Sequence, residues 1–484
     1  MLIALIDDGV DAGFCGEIAL KYDMSVDADG SVRPVDPDDR VLTIHGTTCA
    51  MIIHKYAPEA ELCSLRIFHE ETLHASCQQL MAALEWCADA KIPIVHMSVG
   101  SSAVNDYWKL RPIIARMLRQ RQVIVAAFSN EARLTIPACI GGVIGVTADE
   151  GLVDNDYFFY DGPYGTSIAA SSKHDLEVSP EINIATQVTN SFAAPTVTAA
   201  VHGVLSCYEP LSVPVPQIMR MLAGERGGFT SHKPDFIEKA VIVNPFGYPI
   251  LKQLLFFECI GETADIPAAS GSGQYDDIVY LASPVMEEND SAIALLSGYF
   301  DNTASLVYCG TLREDSCLYR RDGFIWSEGI CHEIQRTPDD AERTIDTPII
   351  NVCGKGLTAI EVTCRLRELF IKADYQCVSV GDHPFSYLYG FEYIPETSDS
   401  DTALAFFNRY YTPDIIIYCS SYDDMTARSA DDYYIITDMQ SERDTAIEGD
   451  ADNVYRFSMP VDDNSISALY DGIMRHFGAS ALVQ

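Results

Sequence analysis

The chain has 484 residues, is 48% hydrophobic and 10% aromatic, and carries a formal net charge of −38. That apolar content can fill two or three independent cores, while the charge excludes nucleic acid and an anionic membrane surface as partners, because phosphate attraction becomes repulsion. No apolar run approaches the roughly 20 residues of a membrane span, and no basic leader with an apolar core precedes the first element.

In chain order, Met1 to Ile6 reads as a short buried strand, and Asp7 stands at its carboxyl end in the phrase Ile6-Asp7-Asp8-Gly9-Val10. His45 opens an apolar helix running to about Tyr56, with Gly46 keeping backbone bulk away from the imidazole. The segment His96-Met97-Ser98-Val99-Gly100 is followed by a strand from Val123 that ends at Ser129-Asn130-Glu131. Ser191 then precedes Ala193, Ala194, Pro195 and an alanine-rich run to Leu205, which reads as a helix with proline in its first turn. A hydroxyl at a helix amino end lies in the positive field of the macrodipole, which favours the negative charge that develops as it attacks.

Each residue also has a bland reading. Asp7 alone is a strand-end turn residue, His45 a capping or core histidine, and Ser191 an ordinary helix cap. In order and together they supply acid, base and nucleophile: Asp7 orients His45, His45 takes the Ser191 proton, and Ser191 attacks a carbonyl.

These ordered phrases, over residues 1–225, resemble the subtilisin-like peptidase family. The resemblance implies a doubly wound parallel α/β sheet, an oxyanion-hole role for Asn130 beside the Ser191 backbone N–H, and pairing of an extended substrate along Ser98, Val99 and Gly100 by strand addition. Gly100 would leave room for the side chain entering the specificity pocket. Thr189-Asn190 departs from the Gly-Thr that most of the family has before the serine, so substrate fit is expected to change there. Asp8, as in the proprotein-processing branch, is taken as a solvated turn or local hydrogen-bonding residue.

The 15 cysteines are odd in number and form no CxxC pair, a poor basis for disulfides or zinc. Cys87, Cys309, Cys364 and Cys419 fall in apolar segments and read as small buried hydrophobes; Cys331 beside His332 is read structurally too. Asp36-Asp38-Asp39 and Asp154-Asp156-Asp161 lack an ordered oxygen-ligand pattern, so neither a metal nor a cofactor is expected. With the catalytic strand at the start and no pro-segment before it, the protein is expected to fold unaided in the cytoplasm.

After an exit loop over 224–234, α/β alternation resumes, giving expected lobes at 237–335 and 346–484, Rossmann-like or degenerate P-loop-like, with a charged stretch at 336–346 between them. Strands are expected at Lys239–Asn244, Tyr275–Ala282, Ala304–Cys309, Pro348–Cys353, Gln376–Val380, Asp414–Cys419 and Tyr433–Thr437. Helices are expected at Tyr248–Phe257, Ser291–Phe300 and Leu357–Lys372. The turn Gly354-Lys355-Gly356-Leu357-Thr358 lacks the Lys-Ser/Thr pair of a phosphate loop and is read as a helix-entry turn or a degenerate phosphate loop without hydrolysis.

The carboxyl half, through Ala240-Val241-Ile242-Val243-Asn244-Pro245-Phe246 and Ile350-Asn351-Val352-Cys353-Gly354-Lys355-Gly356, is similar to a family found with bacterial peptide natural-product maturation systems. This implies a cytosolic endopeptidase that removes the leader from a ribosomally made precursor peptide, with the second half holding the precursor or a peptide-modifying enzyme. The alternatives are a transpeptidase that cyclises its product through the same acyl-enzyme, and a non-catalytic peptide-binding scaffold.

Overall fold

The computed structural model describes all residues except 16–17, 37–43, 69–73, 132, 163–164, 180–181, 225–232, 267–276, 283–288, 301–302, 314, 329–344, 355, 384, 395–398, 421–431, 438–452, 458–460 and 481–484. The exit loop over 225–232, the charged stretch over 336–344, Cys331, His332 and Lys355 lie outside the described residues.

The first sheet is built around β1 (Leu2–Asp7), an apolar run buried on both faces, as a central parallel strand must be. With β2 (Leu20–Val26), β3 (Val32–Pro34), β4 (Glu61–Arg66), β5 (Ile94–Met97), β6 (Val123–Ala127), β7 (Ile144–Ala148), β8 (Tyr157–Gly162) and β9 (Gly165–Ala170) it forms nine strands in the order β3-β2-β4-β1-β5-β6-β7-β9-β8. Neighbours run parallel except at the edges, where β3 and β8 pair antiparallel. The order reverses at β1, with β2 and β4 on one side and β5 to β7 on the other. Asp7 therefore ends β1 at the switch point, where a doubly wound sheet opens its crevice.

Six helices accompany this sheet: α1 (Ala12–Cys15), α2 (His45–Tyr56), α3 (Cys77–Asp89), α4 (Val104–Arg119), α5 (Asn190–Leu205) and α6 (Val215–Ala223). The antiparallel pair β10 (Asp175–Ser179) and β11 (Ile182–Ala185) leads the chain into α5. Apolar nearly all round, α5 packs on α2 and on β5, β6 and β7. It starts at Asn190, so Pro195 is its sixth residue and sits beyond the first turn, a correction to the placement expected from sequence. Lacking an N–H, Pro195 leaves the carbonyl of Ser191, four residues back, without its helical donor.

Two further sheets follow, both parallel throughout. The first has β12 (Lys239–Val243), β13 (Glu258–Thr263), β14 (Asp277–Leu281), β15 (Ser305–Cys309) and β16 (Ile325–Ser327) in the order β13-β12-β14-β15-β16, with α7 (Asp290–Tyr299). The second has β17 (Ile349–Cys353), β18 (Cys377–Gly381), β19 (Glu392–Tyr393), β20 (Ile415–Ser420), β21 (Tyr433–Ile436) and β22 (Val454–Arg456) in the order β19-β18-β20-β17-β21-β22, with α8 (Leu357–Lys372), α9 (Ser400–Tyr411) and α10 (Asp463–Ser480). Tyr248–Phe257, expected as a helix, holds only a 3₁₀ turn at Lys252–Leu254. Its backbone is drawn elsewhere: the Phe256 carbonyl accepts from Arg111 at 2.7 Å, and the Phe256 N–H donates to the Leu388 carbonyl at 3.1 Å. Among the described residues, no helix is long and apolar enough to cross a membrane.

The sheets are joined by buried polar contacts rather than by a bare linker. From α4, Arg111 donates to the Ile237 carbonyl at 2.7 Å, and Asn105 donates to the Tyr375 carbonyl at 2.9 Å. Lys233, partly buried, pairs with the buried Glu392, whose carboxylate also accepts from Tyr411 at 2.6 Å. Burial pulls the Lys233 pKa down, but Glu392 and Asp235 outweigh it and hold the amine above its ordinary value. Removing one member of such a pair strands a charge in a medium that cannot solvate it. Glu392→Gln is expected to lower stability in urea denaturation by about 3–5 kcal/mol, with Lys233→Met added to it recovering part of the loss.

Candidate active site

The site forms where α2 and α5 point their amino ends at the carboxyl ends of β1, β5 and β6. Asp7 is buried, and both its oxygens lie against His45 Nδ1, at 2.9 and 3.0 Å. Its Oδ1 also accepts the Asp8 N–H at 2.9 Å, fixing the carboxylate plane from behind. The His45 ring is one-third exposed and stacks on Phe192, centroids 5.3 Å apart, which ties the imidazole to the residue after Ser191.

Asp8 is not a solvated turn residue. It is 2% exposed, and its Oδ1 accepts the Gly46 N–H at 2.7 Å. No side chain at Ile44 caps α2, so Asp8 satisfies one of the orphan donors of that helix from across the loop. Its Oδ2 is buried without a hydrogen-bond partner, and burial together with the charge of Asp7 pushes the carboxyl up to about 7. Gly46 is glycine because of this loop rather than because of the imidazole. A Cβ there would meet the Gly9 carbonyl oxygen at 2.5 Å and Asp8 Oδ1 at 2.7 Å.

Ser191 lies in the first turn of α5, and the carbonyl freed by Pro195 finds a donor in the Ser98 hydroxyl at 2.8 Å. Having given away its proton, Ser98 Oγ accepts from His96 Nε2 at 3.0 Å. His96 is buried, which pushes its pKa down to about 4, and its Nδ1 lies 2.9 Å from Thr198 Oγ1, two turns along α5. The Ser98 side chain thus faces the helix that carries Ser191. At Gly100 the neighbouring space is taken, since a Cβ would lie 2.8 Å from both the Ile136 carbonyl oxygen and Thr135 Cγ2. Val99, between them, is half-buried.

Asn130 lies at the surface beyond β6, where its Oδ1 accepts the Asn190 N–H at 2.9 Å. Of the two ends of its amide only the oxygen can accept, so the nitrogen is the end left to donate. Asn190 itself, read from sequence only as a departure from a common motif, is a fastening. Its amide donates to the Phe128 and Ser129 carbonyls at 3.1 and 3.0 Å, and its oxygen accepts the Ala148 N–H at 2.7 Å. It pins the start of α5 to the ends of β6 and β7. A glycine or threonine could not reach all three groups.

Among the described residues, the potential metal ligands that cluster in threes are Asp7, His45 and Cys49. Asp7 and His45 are hydrogen-bonded to each other, and burial raises the Cys49 thiol well above its ordinary pKa. The Cys49 Sγ lies 3.7 Å from the Ser191 carbonyl oxygen. What this arrangement can do is deliver a hydroxyl to a carbonyl: an oriented imidazole, a serine in the first turn of a helix, and an amide donor beside it.

Fold and site together place an acid, an imidazole and a serine at the switch point of a doubly wound parallel α/β sheet. Residues 1–223 match the model of the subtilase family. Among solved structures, the prenylagaramide maturation protease PagA is 23% identical, over 46% of this chain and 82% of its own, with a TM-score of 0.37. The epidermin leader peptide processing serine protease EpiP from Staphylococcus aureus is 16% identical, over 46% and 69%, with a TM-score of 0.36. A cold-adapted subtilisin-like serine proteinase is 16% identical, over 46% and 80%, with a TM-score of 0.35. No curated protein matches the chain.

The two carboxylates act on His45 in the same sense. Burial lowers its pKa, but the charge and hydrogen bond of Asp7 and the charge of Asp8 outweigh that and hold it above the ordinary value. Asp8→Asn keeps an oxygen for the Gly46 N–H and removes one negative charge, so the imidazolium loses support. The His45 ring titration, followed by NMR, is expected to move to lower pH in this variant; an unmoved or raised midpoint contradicts the coupling.

Proposed function

We propose that the amino-terminal domain cleaves peptide bonds through an acyl-enzyme on Ser191. His45 removes the Ser191 proton and returns it to the leaving amine. Asp7 holds the ring so that Nδ1 carries its proton inward and Nε2 is free to act as base. Asn130 Nδ2 and the Ser191 N–H stabilise the oxyanion. The observation that carries this reading is the double contact of Asp7 with His45 Nδ1, in a site whose serine carbonyl and oxyanion amide are each fixed by a separate hydrogen bond.

The substrate proposed is a precursor peptide, bound along Ser98, Val99 and Gly100 and cleaved in the cytosol to release its leader. This choice rests on the resemblance read from the sequence of the carboxyl half to a family found with peptide natural-product maturation systems. Maturation and leader processing are also the roles in the names of PagA and EpiP.

Two substitutions test the chemistry. Ser191→Ala is expected to abolish cleavage of a peptide substrate while leaving the thermal unfolding midpoint and peptide binding intact; unchanged cleavage contradicts the assignment of the nucleophile. Asn130→Ala is expected to lower kcat by about 100- to 1000-fold with a smaller change in KM, because its amide meets charge present mainly in the transition state. A loss confined to KM would make Asn130 a ground-state binding residue.

A further inference from the structure

We infer that this domain cleaves after small residues, glycine, alanine or serine, because Thr135 fills the slot between the two segments that flank the side chain before the cut. The inference rests on the proposed roles of Ser191 and of the segment Ser98-Val99-Gly100.

The two walls are set by the sheet. Strands β5 and β6 are parallel neighbours, and the chain continues beyond them as Ser98-Val99-Gly100 on one side and Phe128-Ser129-Asn130 on the other. Both walls reach Ser191: the Ser98 hydroxyl donates to its carbonyl, and Asn130 Oδ1 holds the N–H of Asn190 just before it. A substrate residue whose carbonyl is bonded to Ser191 and whose oxyanion faces Asn130 therefore directs its side chain between the walls.

Thr135 spans that gap. Its Oγ1 accepts the Ser129 N–H at 2.7 Å, and its methyl carbon lies 2.8 Å from where a Cβ on Gly100 would stand. The residue is 6% exposed. It cannot swing aside cheaply. Ile136 exchanges two 2.8 Å hydrogen bonds with Ser101, and the Leu134 N–H donates to the Tyr410 carbonyl of α9 at 3.1 Å. Thr135 is thus fixed from both sides, from the third sheet's helix as well as from its own domain.

A rigid floor discriminates steeply, since one surplus methylene in a closed pocket costs about 10- to 200-fold in kcat/KM. Wild-type enzyme should cut a degenerate peptide pool, read by mass spectrometry, after Gly, Ala or Ser at least about tenfold more efficiently than after Leu, Met or Phe. Thr135→Ser keeps the hydroxyl on the Ser129 N–H and removes only the methyl, and it should raise cleavage after Leu relative to Ala by about tenfold. Thr135→Gly should extend this to Phe. Labelling of Ser191 by a fluorophosphonate probe is measured in parallel for every variant. A labelled wild type that cuts mainly after large residues, or cuts no peptide of the pool, overturns the slot, as does an unchanged Leu/Ala ratio in labelled Thr135→Ser. Failure of the wild type to label at Ser191 overturns instead the reading on which the slot rests.

Discussion

Two carboxylates on successive residues, both 2% exposed, end a single buried strand, and the rest of the site depends on how their charge is answered. Successive side chains leave a strand in opposite directions, so one group cannot serve both. The amino end of α2 serves them separately: His45 meets Asp7 through its ring, and Gly46 meets Asp8 through its backbone N–H. The positive end of a helix dipole is the favourable place for such charge. Asp8 is left with one oxygen unbonded, and burial together with the charge of Asp7 raises its pKa. This constraint fixes where α2 begins, requires glycine at position 46, and places the imidazole.

The Ser191 side follows the same logic with opposite polarity. Pro195 removes one donor from α5, and the Ser191 carbonyl is answered by Ser98, itself supported by His96. Asn190 answers three backbone groups at the ends of β6 and β7. The Asn190 N–H and the Ser191 carbonyl each tie a segment beyond a strand end to the helix that carries the hydroxyl. The carboxyl half extends this bracing. The contacts of Leu134 with Tyr410, and of Lys233 with Glu392, bring the third sheet against the loop that follows Asn130. A half so joined contributes to the shape of the peptidase domain besides any peptide or partner it holds.

Much of this was legible from residue order. The strand ending at Asp7, the helix from His45 to Tyr56 and the helix carrying Ser191 follow from apolar runs bounded by polar residues, and α8 runs over Leu357–Lys372 as its periodicity predicts. What stayed hidden depends on partners distant in sequence. Asp8 reads as a turn residue because its acceptor role is set by Gly46, on another element. Asn190 reads as a motif departure because its three partners lie on two other strands. Gly100 is read as room for a substrate, and nothing in its own segment shows that Thr135 and Ile136 pack beside it from a later loop. The short strand β16 and the helices α9 and α10 carry too little or too mixed a pattern to separate from their surroundings.

The central claim is that Ser191, driven by the Asp7–His45 pair, becomes covalently acylated. It is tested most directly by mixing the intact chain with an activated ester of a small amino acid, quenching in acid within the first turnover, and locating the added mass by peptide mapping. The account predicts one acyl group per chain on Ser191, absent in His45→Ala. An acyl group on Cys49 or another side chain, or hydrolysis of the ester without any acylated protein, contradicts it.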